Sequence, residues 1–313
     1  MIENLLKQVK ELQTNKGYWF VRTDSGDNFE AFRQLNFIGI GWNYITTQDL
    51  NNNQDNGYII KEKIARREEI DPSTPSGRSK ITAIYNKIKR FKEFKVGDII
   101  VMPNEGSNIL GFGTIEEEEI YNDVNDNTCE YTKRRKVKWH KFLNFSELDP
   151  IFYAIVKTRH AISNIKNYES YIDKTMENLF VKDDHYHFVI DIEKKEDINI
   201  YSLLKLIDSV NKLTESIDNQ FNFETIQNNR SIKLNLQSPG KIEFIFKNGK
   251  SLALLAFLLS ANFAGTVTLP NNFTPEDIQQ LIQLQEVNQT DIDTINSTYL
   301  ELQARKIRIN QID

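Results

Sequence analysis

The chain has 313 residues, 39% of them hydrophobic and 27% charged, and a formal net charge of −5. That length leaves room for about two domains with ordinary globular cores. The acidic balance excludes a protein held to nucleic acid by bulk positive charge, so any such contact must come from local basic clusters.

The only cysteine, Cys129, excludes an internal disulfide and a cysteine-built zinc cluster. It fits a reducing cytoplasm. The charge is uneven: residues 1–160 hold 24 Lys and Arg against 23 Asp and Glu, while residues 161–313 hold 15 against 21. The opening MIENLLKQVKEL has no basic leader ahead of an apolar core, so no secretory signal is expected there.

Ile2, Leu5, Leu6, Val9 and Leu12 recur at helical spacing, which predicts a helix over residues 2–13 ended near Gly17. Tyr18–Arg22 reads as a strand, Phe29–Leu35 as a short helix and Phe37–Trp42 as a second strand. Residues 46–80 form a long polar connection with a charged helical piece near Lys61–Glu69; connections of that length often carry function. Ile81–Phe91 reads as an amphipathic helix.

That helix leads into a hairpin, in which Ile99–Met102 and Ile109–Phe112 flank the turn Pro103–Asn108. Gly111 and Gly113 leave one strand partly bare, so a ligand or another backbone is expected to approach there. Glu116–Glu119 reads as a solvated acidic edge, and Tyr131–Trp139 as a basic strand.

The second half reads as a strand at His187–Ile192, a helix at Ile200–Ile217, and a hairpin of Ser231–Leu236 and Ile242–Phe246 about the turn 237–241. Two further helices, Pro275–Gln285 and Asp291–Ile307, end the chain. The uncharged run Leu252–Leu269 approaches the length of a membrane span. Its polar second half, and the lack of a second such run or a dense basic flank, favour a buried helix followed by a short strand.

The first half resembles the EVE branch of the PUA-like superfamily. The matching pieces are Tyr18-Trp19-Phe20-Val21, Gly39-Ile40-Gly41-Trp42, the helix leading into Phe94–Val101, Gly111-Phe112-Gly113-Thr114-Ile115, and the late strand Arg134–Trp139. The late strand is similar to those of EVE-like domains attached to modification-dependent restriction and other bacterial defence proteins. The resemblance implies a small pseudo-barrel that binds nucleic acid and takes a modified base into an aromatic-walled pocket. The chain departs from the common pattern in its insert at 46–80 and in lacking a Trp-x-Gly-Val-Arg-Asn run.

Stacking faces and base-edge groups are what an extruded base needs. Trp42, which ends the second strand, and Asn43 and Tyr44, which follow it, are the first candidates. Trp19 is a further candidate, although it and Trp139 fit a barrel core equally well. Ser107 and Asn108, at the hairpin tip, are candidates for base or phosphate contact or an ordinary solvated turn. Arg134, Arg135, Lys136 and Lys138 are the candidate phosphate track, with Lys87–Lys95 a second basic cluster. Alternation puts Arg134, Lys136 and Lys138 on one strand face and Arg135 on the other.

His185 and His187 share a strand face, without a third metal ligand in the pattern. Asp191, Glu193 and Lys194 vaguely resemble the carboxylates and lysine of a metal-dependent nuclease.

Together these features predict an α+β protein. An EVE/PUA-like β-barrel with helices occupies residues 1–165, and a smaller acidic α+β domain with a hairpin and C-terminal helices occupies 166–313. The leading function is a nucleic-acid-binding module, for DNA or RNA, that couples base recognition to a defence effector, a nuclease or an ATPase. The alternatives are a metal-dependent nuclease and a protein–protein adaptor without nucleic-acid binding. No catalytic residue, metal or cofactor is assigned, no membrane partner is expected, and self-association is left open.

Overall fold

The computed structural model describes residues 3, 6–51, 57–123, 128–223, 229–236, 240–263 and 275–305. The protein is α+β, with a curled, half-barrel sheet in its N-terminal half. Its strands are β1 (Lys10–Glu11), β2 (Tyr18–Val21), β3 (Phe37–Ile40), β4 (Ile99–Pro103), β5 (Ile109–Ile115) and β6 (Tyr121–Asn122). They continue as β7 (Lys133–Asn144), β8 (Ile162–Asn164), β9 (Leu179–Lys182), β10 (His185–Ile192), β11 (Arg230–Asn235) and β12 (Gly240–Lys247).

Two compact units result, one of Asn15–Ile172 and one of Met1–Thr14 with Asp173–Asp313. The cut between 172 and 173 falls inside the helix Glu169–Met176, within the stretch 165–182 where the sequence turns helical and charged and a boundary is expected. The division departs from expectation in giving the first residues to the second unit. The cause is β1. Residues 10 and 11, expected in a helix, instead pair in parallel with Phe180 and Val181 of β9. Among the described residues before β1, Lys7 N–H donates to the Glu3 carbonyl at 3.0 Å. A short apolar repeat cannot nucleate a stable helix on its own when an open sheet edge offers ladder hydrogen bonds.

In the first unit the strand order is β3-β7-β5-β4-β2-β8, with β6 beside β7. The curl comes from β7. Lys133–Lys136 pair with β3, while Val137–Asn144 pair with β5, with an irregularity opposite Phe112 and Gly113. A bulge of this kind bends a strand and lets one strand serve two sheet directions. The glycines of β5 are not bare. A Cβ on Gly111 would meet the Phe142 ring at 2.7 Å, and one on Gly113 would meet Trp139 and Val137 at 2.6 and 2.7 Å. Neighbouring β7 side chains fill the space expected for a ligand.

The insert at 46–80 is not a plain connection. It contains helices Thr47–Asn51 and Tyr58–Arg67 and the start of the helix Pro75–Lys92; residues 52–56 lie outside the described ones. Leu50, Ile60 and Ile64 are its buried anchors. The long helix starts where Thr74 Oγ1 accepts from Gly77 N–H at 3.0 Å, with Pro75 at its first position. Ile81, Ile88 and Phe91 then bury one face.

The second unit is a five-stranded sheet, β1-β9-β10-β12-β11, whose core joins Phe188, Ile190, Ile242 and Phe244 to apolar faces of the helices after it. Leu252–Leu259, within the helix Lys250–Phe263, is buried throughout. Among the described residues no helix is long and apolar enough to cross a membrane. The strand expected at the end of this run, and the turn 237–239 of the hairpin, lie outside the described residues.

Candidate functional site

The first unit has a cleft of about 440 Å³ lined by residues of β2, β3, the loops that follow them, the long helix and the segment before β8. Its aromatic walls are Trp42 and Tyr131, its charged residues include Asp24, Lys87 and Arg159, and Gly39 and Gly41 form part of its surface. Ligand pockets commonly enclose several hundred Å³ with a few convergent polar groups on apolar walls.

Glycine explains how Tyr131 gets there. A Cβ on Gly39 would stand 3.0 Å from Tyr131 Cβ, and one on Gly41 would stand 3.3 Å from its ring. The ring therefore lies against the two glycine positions, where no side chain intervenes. Its hydroxyl donates to Asp24 Oδ2 at 3.1 Å. Burial first, then the Asp24 charge and hydrogen bond, push the phenol well above its usual range, so it remains a donor at neutral pH.

Trp42 has φ +55°, a left-handed conformation that is a genuine outlier for so bulky a side chain. Its carbonyl accepts from Ile45 N–H at 2.9 Å and from the Lys133 ammonium at 2.8 Å. Asn43 clamps the facing loop: its amide donates to the Glu130 carbonyl at 2.7 Å and accepts from Thr132 N–H and Oγ1. Strain held by so many contacts is found at sites where a side chain is being aimed. Lys87 places its ammonium 5.4 Å from the Trp42 ring centre, a cation–π contact.

Lys133 is 1% exposed and was not singled out by the sequence reading. Burial pushes its ammonium down to about 8, and Asp49 pulls it partly back. Between about pH 8 and the ordinary lysine value, the unfolded chain holds this proton and the folded chain does not, so folding stability rises with pH across that window. In urea melts, wild type should therefore gain stability relative to Lys133→Met as the pH passes from about 8 to about 10. A pH-independent difference would contradict the buried ammonium.

Of the expected base-binding residues only Trp42 lines the cleft. Asn43 is committed to its loop clamp, and the Tyr44 hydroxyl donates to Glu68 at 2.6 Å. Trp19 donates to Asp98 Oδ2 at 2.9 Å and packs 5.1 Å from the Phe94 ring. Trp139 donates to the Phe32 carbonyl at 2.8 Å, the core role allowed for it above. Ser107 and Asn108 do not line the cleft. Their turn instead lies against the loop at 24–26: a Cβ on Gly26 would meet Glu105 backbone atoms at 2.5 Å.

The basic strand also needs correction. Arg134 and Arg135 are 1% and 2% exposed and cannot form a surface phosphate track without leaving the core. Arg134 lies 4.1 Å from the Phe37 ring centre, pairs with Asp123 at 3.1 Å and donates to the Tyr131 and Cys129 carbonyls. Arg135 donates to the Phe91, Lys92 and Glu118 carbonyls. Two of these belong to the last turn of the long helix, whose unpaired carbonyls carry the negative end of its dipole. Lys136 and Lys138 are exposed, and Lys136 pairs with Glu117 at 2.6 Å.

The basic residues lining the cleft are instead Arg22, Lys87 and Arg159, with exposed Lys157 and His160 beside Arg159 in sequence. The signal for Arg159 was Lys157-Thr158-Arg159-His160, a short basic run between two apolar ones. Arg22 ties this segment down by donating to the Val156 and Thr158 carbonyls.

In the second unit, Asp191 pairs with Lys241 and accepts from Asn178, and Glu193 pairs with Arg305. Nδ1 of His187 meets Glu243 at 2.8 Å, and its ring stacks on Phe180. Burial pushes the Glu243 carboxyl up, but the His187 bond and charge, with Lys233 and Lys174, together hold it below its usual range. Among the described residues no group of three or more His, Cys, Asp or Glu side chains could hold a metal ion.

Fold and cleft together define a small α+β half-barrel with an aromatic-walled recess. A family model described as a domain of unknown function, DUF8426, matches residues 19–165, a span that contains every residue lining the cleft. Neither a curated protein nor a solved structure matches the chain.

Proposed function

We propose that the first unit is a nucleic-acid-binding module of the EVE/PUA-like kind that takes one unpaired or extruded base into the cleft beside Trp42. The observation that carries this reading is the strained, carbonyl-clamped Trp42 facing a cavity that Tyr131 also walls. A base in such a recess would exchange solvent for two aromatic side chains, and stacking on one aromatic is worth roughly 1–3 kcal/mol. Lys87 and Arg159 would contact the flanking phosphates.

The second unit would couple recognition to an effector nuclease or ATPase of a cytoplasmic defence system. Its exposed apolar residues, Tyr201, Leu204, Val287 and Leu300 among them, support an associating role.

The test is oligonucleotide binding by the full chain, followed by fluorescence anisotropy over a salt series. Binding should weaken with salt, and Lys87→Glu with Arg159→Glu should reduce both affinity and the salt slope. Lys136→Glu with Lys138→Glu should change affinity less. A larger loss from the second pair would return the phosphate track to the basic strand.

A further inference from the structure

We infer that Asp24 makes the cleft selective for bases that carry an exocyclic amino group, cytosine, adenine or guanine, over the imide bases thymine and uracil. The inference rests on the base-binding reading above and specifies what the recess would read.

Its first support is the inventory of polar groups. Asp24 and Glu130, two of the cleft's charged side chains, are acceptors only when ionised. Tyr131 donates to Asp24 Oδ2 and so spends the hydroxyl proton that would otherwise greet a base carbonyl. Arg22 also lines the cleft, but its Nε and Nη2 are committed to the Val156 and Thr158 carbonyls. Exposed Arg159 is the residue assigned above to a flanking phosphate, and the Ser25 hydroxyl accepts as readily as it donates. Lys87 is drawn over the Trp42 ring.

An amino group brings N–H donors to the remaining acceptor sites of Asp24. An imide edge flanks its one N–H with two carbonyl oxygens, and these would face a carboxylate with no proton between them.

The second support is that Asp24 is fixed in place before any ligand arrives. Asp24, Ser25 and Gly26 have φ of +53°, +59° and +112° in succession. Two of these are non-glycine residues in a conformation they seldom adopt. The run is wedged by the close approach of Gly26 to the Glu105 backbone. Just before it, Thr23 Oγ1 donates to the Pro103 carbonyl at 2.7 Å. The hairpin tip thus acts on recognition indirectly, by holding the reading residue.

The experiment uses the full chain with short single-stranded DNA and RNA oligomers that differ at one central base, read by competition anisotropy. Wild type should prefer the amino bases by about tenfold, the ratio that ~1.4 kcal/mol of discrimination produces. Asp24→Asn, whose amide offers both donors and an acceptor, should reduce that preference to within about twofold while leaving the melting temperature unchanged. Tyr131→Phe keeps the ring and removes the hydroxyl. It should retain binding and lower the preference by about threefold, which keeps the inference falsifiable if Asp24→Asn fails to fold.

Equal or stronger binding of thymine and uracil by wild type would overturn the inference, as would a preference that survives both substitutions. Both results would leave the base-binding reading standing. Failure of wild type to bind any oligomer would overturn the two together.

Discussion

Arg135→Ala should destabilise the first unit by roughly 3–5 kcal/mol, the largest effect expected of any single change in the basic strand. Three backbone carbonyls, those of Phe91, Lys92 and Glu118, accept from this guanidinium at 2.6–3.0 Å. The bond to the Phe91 carbonyl is buried, and a buried acceptor left without its donor costs about 1–3 kcal/mol; the truncated side chain also leaves a cavity beside Phe91 and Phe94. Burial pushes Arg135 down to about 10, so it is still a cation at neutral pH, when it caps the helix most strongly. Lys136→Ala and Lys138→Ala, at exposed positions of the same strand, should stay within about 0.5 kcal/mol of wild type. Urea unfolding of the three variants measures the contrast. An Arg135→Ala protein as stable as wild type, but weaker in binding oligonucleotides, would show that the residue faces ligand.

Trp42→Gly should weaken oligonucleotide binding for every base while costing less stability than Trp42→Ala. The ring would no longer stack, which is worth roughly 1–3 kcal/mol, or about a fivefold to 150-fold change in affinity. The partly buried ring also contributes to the core cluster, and that packing is lost. Glycine, however, occupies φ +55° without steric penalty, which offsets about 1 kcal/mol of the loss. Trp42→Ala, which keeps the backbone strain, should be the less stable of the two while binding no better. Thermal melts and base-competition anisotropy separate the effects. If both variants unfold at the assay temperature, Trp42 is a core residue.

The parts of this architecture that depend on local pattern were legible in the sequence. The hairpin β4–β5 follows from two apolar runs about Pro103–Asn108. The helix Ile200–Phe221 follows from its periodicity and begins where Asn199 Oδ1 accepts from Tyr201 N–H at 2.8 Å. Trp42 was legible as an aromatic at a strand end.

What escaped was set by distant partners. β1 is a strand only because β9, more than half the chain away, offers it an edge. Arg134 and Arg135 read as surface charge because a strand pattern shows alternation but not which helix end lies beneath it. The face assignment failed at Arg134 for a related reason. β7 turns from β3 to β5 within its length, so residues that alternate strictly do not share one environment. The polar lining of the cleft was not legible for the same cause, since Asp24, Lys87, Tyr131 and Arg159 come together only through tertiary folding.

The most direct measurement of base capture is photocrosslinking followed by mass spectrometry of the peptide adducts. Full-length protein is irradiated with oligomers carrying one 5-iodocytosine, and with matched oligomers whose central nucleotide is abasic. The account predicts adducts at Trp42 or Tyr131 from the iodinated oligomer, lost on competition with unmodified cytosine oligomer and absent from the abasic control. Adducts confined to the exposed face of β7 around Lys136 and Lys138, or none above the abasic background, would contradict a base seated in the cleft.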